Sequence, residues 1–150
     1  MTIYLLFYLI LIVGPLSILL HESGHAIAAR VVKADCITVS LGYGKILSST
    51  IIERFQLNIH MVFFLGGLAR SERKIPYKSS EIIWITISGP IANGLFTCLL
   101  YFIYVIYPNE YVYLLCLFNL YLTVVNIIPF RIKGKQTDGY TILKVLKKGF

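Results

Sequence analysis

The sequence predicts an all-α membrane protein with three transmembrane helices, a small cytoplasmic β-hairpin region and a C-terminal amphipathic helix. Hydrophobic residues make up 57% of the chain and charged residues only 14%, whereas an average soluble domain has about 25% charged residues. Three apolar segments each approach the roughly 20 residues that a helix needs to cross the hydrocarbon layer. These segments are residues 3–30, 82–107 and 111–130. We therefore expect a single membrane-embedded domain over residues 1–150.

The distribution of basic residues predicts the orientation of the protein in the cell membrane. All 14 Lys and Arg residues lie between Arg30 and Lys78 or after Phe130. By the positive-inside rule, the amino terminus and the 108–110 turn face outward, and the 30–80 stretch and the carboxyl terminus face the cytoplasm. This topology and attraction to anionic lipid account for the net charge of +7, so the lipid bilayer is an expected partner and nucleic acid is not.

The first apolar segment has an alternative interpretation as a secretory signal peptide. No Lys or Arg precedes this segment, and its apolar core is longer than that of a typical signal peptide. A transmembrane helix is therefore the favoured interpretation.

The pattern changes from continuous apolar residues to strand-like sequence after the first segment. Within residues 36–68, apolar and polar residues alternate over 37–41, residues 51–64 are rich in β-branched and aromatic residues, and turn signals occur at Gly42-Tyr43-Gly44 and Gly66-Gly67. This pattern predicts a small antiparallel sheet or a pair of hairpins. After the third segment, residues 131–137 form a short basic loop, and residues 140–148 are expected to form an amphipathic helix that can lie on the membrane surface.

The pentapeptide His21-Glu22-Ser23-Gly24-His25 carries the clearest chemical signal in the sequence. In such an H-E-x-x-H pattern, two imidazoles four residues apart share one helical face and can bind one Zn²⁺ ion. Bound zinc acidifies a water molecule, and Glu22 can take the proton of that water as it attacks a peptide carbonyl. The motif continues an apolar helix, where a charged residue costs about 2.5–3.5 kcal/mol. The alternative is that these residues lie just beyond the membrane edge and are merely solvated.

A catalytic zinc ion normally has three protein ligands and one water, so a third ligand must come from elsewhere in the chain. The candidates are Asp138, His60, Glu81 and Glu110. Glu81 and Glu110 lie at predicted helix ends that solvent can reach, and His60 lies in a predicted strand. Asp138 is the best candidate, although an Asp just before a helix is also a common N-cap. The residue pattern alone leaves these two roles of Asp138 nearly even.

Small and polar residues form a stripe along each predicted helix, as is typical of closely packed transmembrane helices. The stripes comprise Gly14, Ser17, His21, His25 and Ala28 in the first helix, Thr86, Gly89, Asn93 and Thr97 in the second, and Asn119, Thr123 and Asn126 in the third. For Thr86, Thr97, Asn119 and Thr123, helix packing without a chemical role is the favoured interpretation.

Three motifs in order along the chain resemble those of the site-2 protease family. They are His21–His25, Ser88–Asn93, and Asn126–Pro129 followed by Asp138-Gly139. The resemblance spans almost the whole chain and matches the three-helix catalytic core of this family. It implies zinc ligation by His21, His25 and Asp138, and a general acid/base role for Glu22.

The resemblance also implies that residues near Asn126 contact the substrate or the developing oxyanion and that helices pack near Gly89 to Asn93. As an amide donor to the oxyanion, Asn126 is the stronger candidate and Asn93 the weaker one. Pro129 lacks an N–H and crowds the carbonyl of Val125, so the third helix should unwind beyond Asn126 and free its chain to reach a metal. One departure is clear: the basic stretch 131–137 is longer than the few, mostly apolar residues that usually precede the Asp-Gly pair in this family.

The leading hypothesis is an intramembrane zinc metalloprotease that hydrolyses a peptide bond in a membrane-embedded or membrane-associated polypeptide, as in regulated intramembrane proteolysis. Such a substrate must unwind locally to expose its carbonyls, and a strand edge around residues 51–60 could hold it by strand addition. The alternative is a catalytically inactive relative that binds a partner helix as a maturation or immunity factor. A transport subunit has little support, because the sequence shows no internal repeat.

Overall fold

Helices dominate the fold. The computed structural model describes residues 2–132 and 134–148, so Lys133 of the predicted basic loop lies outside the described residues. Of these residues, 59% are helical, and three helices among them are long and apolar enough to cross a membrane: α1 (Ile3–Val31), α2 (Ser79–Ile106) and α3 (Glu110–Ile127). The predicted three-helix architecture is confirmed at this level.

A single sheet of two long strands lies between α1 and α2 in the sequence. Strand β1 (Cys36–Ile52) and strand β2 (Phe55–Glu72) are antiparallel. Residues 37–41 pair on one side with residues 55–59, and residues 36–41 pair on the other side with residues 67–72. Residues 48–52 pair with the remaining side of residues 55–59. The sheet is therefore four segments wide although only two strands build it.

Two glycines allow the strands to bend at the places where the sequence predicted turns. Gly42 and Gly66 have φ angles of 82° and 80°, which side chains rarely tolerate. The chain therefore stays in the sheet through Gly42, and β2 continues to Glu72 instead of ending near residue 68.

This pairing corrects the expected position of the open strand edge. Residues 55–59 pair on both sides, so the second half of the predicted 51–60 edge is an inner segment. Of the four segments, 48–52 and 67–72 are the outer ones, and each is paired on one side only.

The third crossing ends at Ile127, three residues before the end of the apolar segment and where the sequence predicted that the helix unwinds beyond Asn126. Pro129 explains this end, because a proline forces the residue before it into extended backbone, and Ile128 has φ −68° and ψ 124°. Two short paired strands, β3 (Arg131–Ile132) and β4 (Lys135–Gln136), follow and lead into α4 (Asp138–Lys148). Helix α4 thus begins two residues before the predicted one, and its position on the membrane surface stays a prediction.

Two apolar clusters hold α1 in place. One joins Ala26 and Ala29 of α1 to residues of β1 such as Val39, and the other joins Val13 of α1 to residues of α2 and α3 such as Leu100. The segment of α1 between these clusters contains four buried polar residues, namely Ser17, His21, Glu22 and His25. Helix α1 is therefore anchored by apolar contacts on both sides of its polar segment.

Candidate metal centre

His21, His25 and Asp138 meet at one point. Nε2 of His21 lies 3.0 Å from Oδ2 of Asp138 and 3.1 Å from Nε2 of His25. Nε2 of His25 lies 3.5 Å from the same Asp138 oxygen. A tetrahedral ion with bonds of about 2.0–2.1 Å holds its ligand atoms about 3.3 Å apart. The three atoms therefore have the spacing that one such ion requires.

Hydrogen bonds at the far side of each ring determine which nitrogen faces the centre. Nδ1 of His21 donates to Oδ1 of Asn93 at 2.7 Å, and Nδ1 of His25 donates to the carbonyl of Ile85 at 2.8 Å. Because a neutral imidazole carries one N–H, both Nε2 atoms then present lone pairs to each other and to the Asp138 carboxylate. The lone pairs of these three atoms repel one another unless a cation or a proton lies between them. The arrangement of the three atoms therefore favours a bound metal ion.

A buried amide network fixes the Asn93 side chain that holds His21. Nδ2 of Asn93 donates to the Ser17 carbonyl at 3.1 Å and to Oδ1 of Asn119 at 2.7 Å. Nδ2 of Asn119 in turn donates to Oγ of Ser17 at 2.9 Å. These bonds orient the Asn93 carbonyl oxygen toward His21, as outer hydrogen bonds commonly do for metal-binding histidines. The sequence favoured a packing role for Asn119. In the structure, its hydrogen bonds also hold the Asn93 amide in this orientation.

The start of α4 positions Asp138. Oγ1 of Thr137 accepts a hydrogen bond from the Tyr140 N–H at 3.3 Å and donates one to the Ile128 carbonyl at 2.7 Å. Thr137 therefore caps α4, which leaves the Asp138 carboxylate free to face the histidines.

Glu22 lies beside the centre and outside the set of three donor atoms. Its side chain is buried, and Gly67 of β2 packs against it. A Cβ added at Gly67 would lie 2.9 Å from Cγ and 3.1 Å from Oε1 of Glu22. The glycine therefore brings the 67–72 strand edge close to this carboxylate. In the sequence, Gly67 was recognised only as a turn signal. A contact between a strand and a distant helix produces no pattern in the local sequence, so its approach to Glu22 was not predicted.

Helix α2 approaches the centre through Gly89. A Cβ at this position would overlap Cε1 and Nε2 of His25 and would lie 2.9 Å from Nε2 of His21. Gly24 has the reciprocal role on α1, since a Cβ there would lie 2.5 Å from the Ser88 carbonyl oxygen. These glycines explain how two helix backbones come close enough to enclose the histidines.

The other candidate ligands have different partners. Nδ1 of His60 hydrogen-bonds the Leu41 carbonyl at 3.2 Å, and Glu81 forms a two-pronged pair with Arg73 at 2.6 and 3.0 Å. Glu110 is exposed at the start of α3. None of these three joins the cluster of His21, His25 and Asp138 in the described part of the chain.

The Asn126 side chain bonds to its own helix. Its Nδ2 donates to the Leu122 carbonyl at 2.9 Å. The amide would have to give up this bond to reach a substrate, and its expected oxyanion role stays a prediction. Asn93 already donates both of its amide hydrogens to protein atoms, so its geometry favours holding His21 over oxyanion binding.

The fold and the site together define a helical membrane protein with a candidate metal centre between its helices. Residues 7–110 match the sequence model of Peptidase family M50. This match covers more than half of the chain, so the chain belongs to that family, the site-2 protease family of intramembrane metalloproteases. The predicted family resemblance is thus confirmed.

The matched region includes the His21–His25 and Ser88–Asn93 motifs and ends before Asn126 and Asp138. A comparison with curated proteins finds no match. The roles of Asn126 and Asp138 therefore depend on the motifs and on the geometry described above.

Proposed function

We propose that the protein is an active intramembrane zinc metalloprotease that hydrolyses a peptide bond in a membrane-embedded or membrane-associated polypeptide. The observation that carries this proposal is the meeting of three metal-type donors, His21, His25 and Asp138, beside the buried carboxylate of Glu22. A buried carboxylate next to two histidines is costly in an apolar helix, which favours a chemical use for it.

Metal binding, orientation of the histidine rings and proton transfer are assigned to different residues. Nε2 of His21, Nε2 of His25 and Oδ2 of Asp138 would hold the zinc ion, while Asn93 and the Ile85 carbonyl keep the two rings in orientation. When bound, zinc supplies Lewis acidity, which polarises a carbonyl and acidifies water. Glu22 accepts the proton of the attacking water on its carboxylate and returns it to the leaving amine.

The open edge of the sheet offers a place for the substrate backbone. Residues 67–72 pair on one side only, and Gly67 at the end of this edge touches Glu22. A substrate segment that unwinds and adds to this edge as a strand would bring its carbonyls next to Glu22. This edge replaces the 51–60 edge that the sequence suggested.

The proposal includes the orientation from the positive-inside rule. The amino terminus lies outside, the sheet and the carboxyl terminus lie in the cytoplasm, and cleavage occurs near the cytoplasmic end of the substrate. Helix α4 lies along the cytoplasmic membrane surface.

The test compares membrane peptides in cells that produce the wild-type protein, Glu22→Gln or His25→Ala. We expect the wild type to convert its substrate into shorter peptides and both variants to accumulate the intact substrate. Purified Glu22→Gln should still bind zinc, because its side chain is outside the donor set, whereas His25→Ala should lose it. Glu110→Gln removes an exposed carboxylate on α3 and serves as the matched control with full activity.

Zinc-dependent cleavage that persists in purified Glu22→Gln contradicts the assignment of Glu22 as the base. A protein that captures a membrane polypeptide equally well with and without Glu22, and never cleaves it, is instead the inactive partner-binding relative.

A further inference from the structure

A cavity of about 670 Å³ lies between the end of α1 and the tip of the β1–β2 hairpin. Its wall on α1 includes Ala26, Ile27 and Arg30. At 100° per residue, these positions face away from His21 and His25 on the same helix. The cavity is therefore separate from the candidate metal centre, and its volume is in the usual range for small-molecule sites, about 300–1,000 Å³.

The charged groups at this cavity are mostly cationic. Arg30, Lys33 and Arg54 line it together with the single carboxylate of Glu53. Within residues 2–132 and 134–148, none of these three side chains forms a salt bridge or a hydrogen bond to another protein group. Their positive charge is thus available to an anionic ligand.

The backbone at two of these charged residues is unusual. Lys33 and Glu53 have φ angles of 61° and 53°, and they are the non-glycine residues with positive φ among those described. Lys33 follows the end of α1, where the Ala34 N–H bonds the Ala29 carbonyl at 3.0 Å, a helix end that normally takes glycine. Glu53 is the first of two hairpin residues, where glycine is also preferred. Strained residues of this kind cluster at ligand-binding sites.

Apolar side chains stand beside the cations. Ile27 and Ile52 also line the cavity, and 66% and 65% of their surfaces are exposed. Helix α1 changes from apolar to basic at this level, as is typical of a helix that passes from hydrocarbon into the headgroup region. A ligand here meets cations and apolar groups together.

We propose that this cavity binds the headgroup of one anionic phospholipid. The lipid phosphate lies among Arg30, Lys33 and Arg54, and the acyl chains run past Ile27 and Ile52 into the bilayer. An acidic peptide would satisfy the cations but would leave the two exposed isoleucines without a partner, so the lipid fits the observations better. The bound lipid packs against the back of the helix that carries His21 and His25.

The sharpest test uses Lys33→Gly and Glu53→Gly. Both changes place glycine where the backbone prefers it, so both variants should fold at least as well as the wild type. They remove opposite charges from the same cavity. We expect Lys33→Gly to bind phosphatidylglycerol about fivefold more weakly and Glu53→Gly about fivefold more tightly, since one charge near the headgroup changes the binding free energy by about 1 kcal/mol.

Binding is measured by native mass spectrometry of the purified full-length protein, titrated with phosphatidylglycerol or with phosphatidylcholine of the same acyl chains. Wild type should retain one phosphatidylglycerol in preference to phosphatidylcholine. The double variant Arg30→Gln/Arg54→Gln should bind roughly 30-fold more weakly, whereas Lys45→Gln/Lys74→Gln, which removes two exposed cations outside the cavity lining, should match the wild type.

Several results overturn the proposal. One is a shift of Lys33→Gly and Glu53→Gly in the same direction, and another is equal loss in both double variants, which would indicate unspecific attraction. A third is an acidic peptide that displaces the lipid from wild type while Arg30→Gln/Arg54→Gln no longer binds that peptide.

Discussion

Gly89→Ala adds a single methyl group at the candidate metal centre. The new Cβ would overlap Cε1 and Nε2 of His25 and would lie 2.9 Å from Nε2 of His21. Carbon contacts normally begin near 3.5 Å, so the His21 ring alone would have to retreat by about 0.6 Å. A side chain can act as a metal ligand only when its bond to the metal is within about 0.2 Å of the ideal length. The variant should therefore lose at least one histidine ligand.

The expected loss can be bounded from known metal sites. Changing a residue that merely orients a ligand typically weakens metal binding 10- to 100-fold. Displacing a ligand is a larger perturbation, so we expect Gly89→Ala to bind zinc at least about 100-fold more weakly and to lose proteolysis. The fold should persist, because the three atoms nearest to the added methyl group belong to the ends of the His21 and His25 side chains and none belongs to the backbone.

Gly94→Ala is the matched control for this experiment. It lies five residues further along α2, and a Cβ there would lie 3.5 and 3.7 Å from the Thr123 side chain, which is ordinary contact. Both variants add one methyl group to the same helix, and only the methyl group at position 89 would contact the histidines. The assay is zinc stoichiometry of the purified proteins, followed by competition with a chelator and cleavage of a membrane substrate. Stoichiometric zinc and full cleavage in Gly89→Ala would refute the assigned geometry.

Two further predictions follow from the buried network and from the charge distribution. Asn93→Leu removes the acceptor for Nδ1 of His21 and should weaken zinc binding 10- to 100-fold in chelator competition. Asn93→Asp keeps an acceptor oxygen and should bind zinc more tightly than Asn93→Leu. Equal zinc affinities in the two variants would exclude the orienting role of Asn93. In a cysteine-free background, Lys45→Cys should react with a membrane-impermeant thiol reagent only after cells are opened, whereas Pro108→Cys should react in intact cells; the reverse pattern would invert the proposed topology.

Local sequence was enough to predict the parts of the site that lie within one helix. His21 and His25 are four residues apart, so helical geometry alone places their rings on one face. The contact between His21 and Asp138 joins residues 117 positions apart, and helical spacing contains no information about it. Only the ordered family motifs raised Asp138 above its alternative role as an N-cap.

The pairing of the strands could not be predicted from local sequence, because it depends on contacts between residues that are far apart in the chain. The β-branched and aromatic residues of 51–64 predicted strand structure correctly, but they could not reveal that residues 37–41 and 48–52 pair with the two sides of residues 55–59. The approach of Gly67 to Glu22 was missed for the same reason. In both cases the contacts depend on how β1 and β2 bend at Gly42 and Gly66.

The longer basic stretch before Asp138 raises the question of how this carboxylate can reach the histidines. The extra residues form the β3–β4 hairpin, in which Arg131 pairs with Gln136 and Ile132 with Lys135. The base of the hairpin closes where the Thr137 N–H bonds the Phe130 carbonyl at 3.2 Å. The chain thus returns to the end of α3, and Thr137 bonds Ile128 immediately before Asp138.

When a hairpin is closed at its base, a change in its length alters how far its tip protrudes. The position of the residue that follows the base stays the same. The same reasoning applies to Gly139, which packs against the Ile127 carbonyl so closely that a Cβ would not fit. Asp138 is therefore fixed from both sides by contacts to residues 127–130, and the length of the stretch before it has no influence on its distance from His21 and His25.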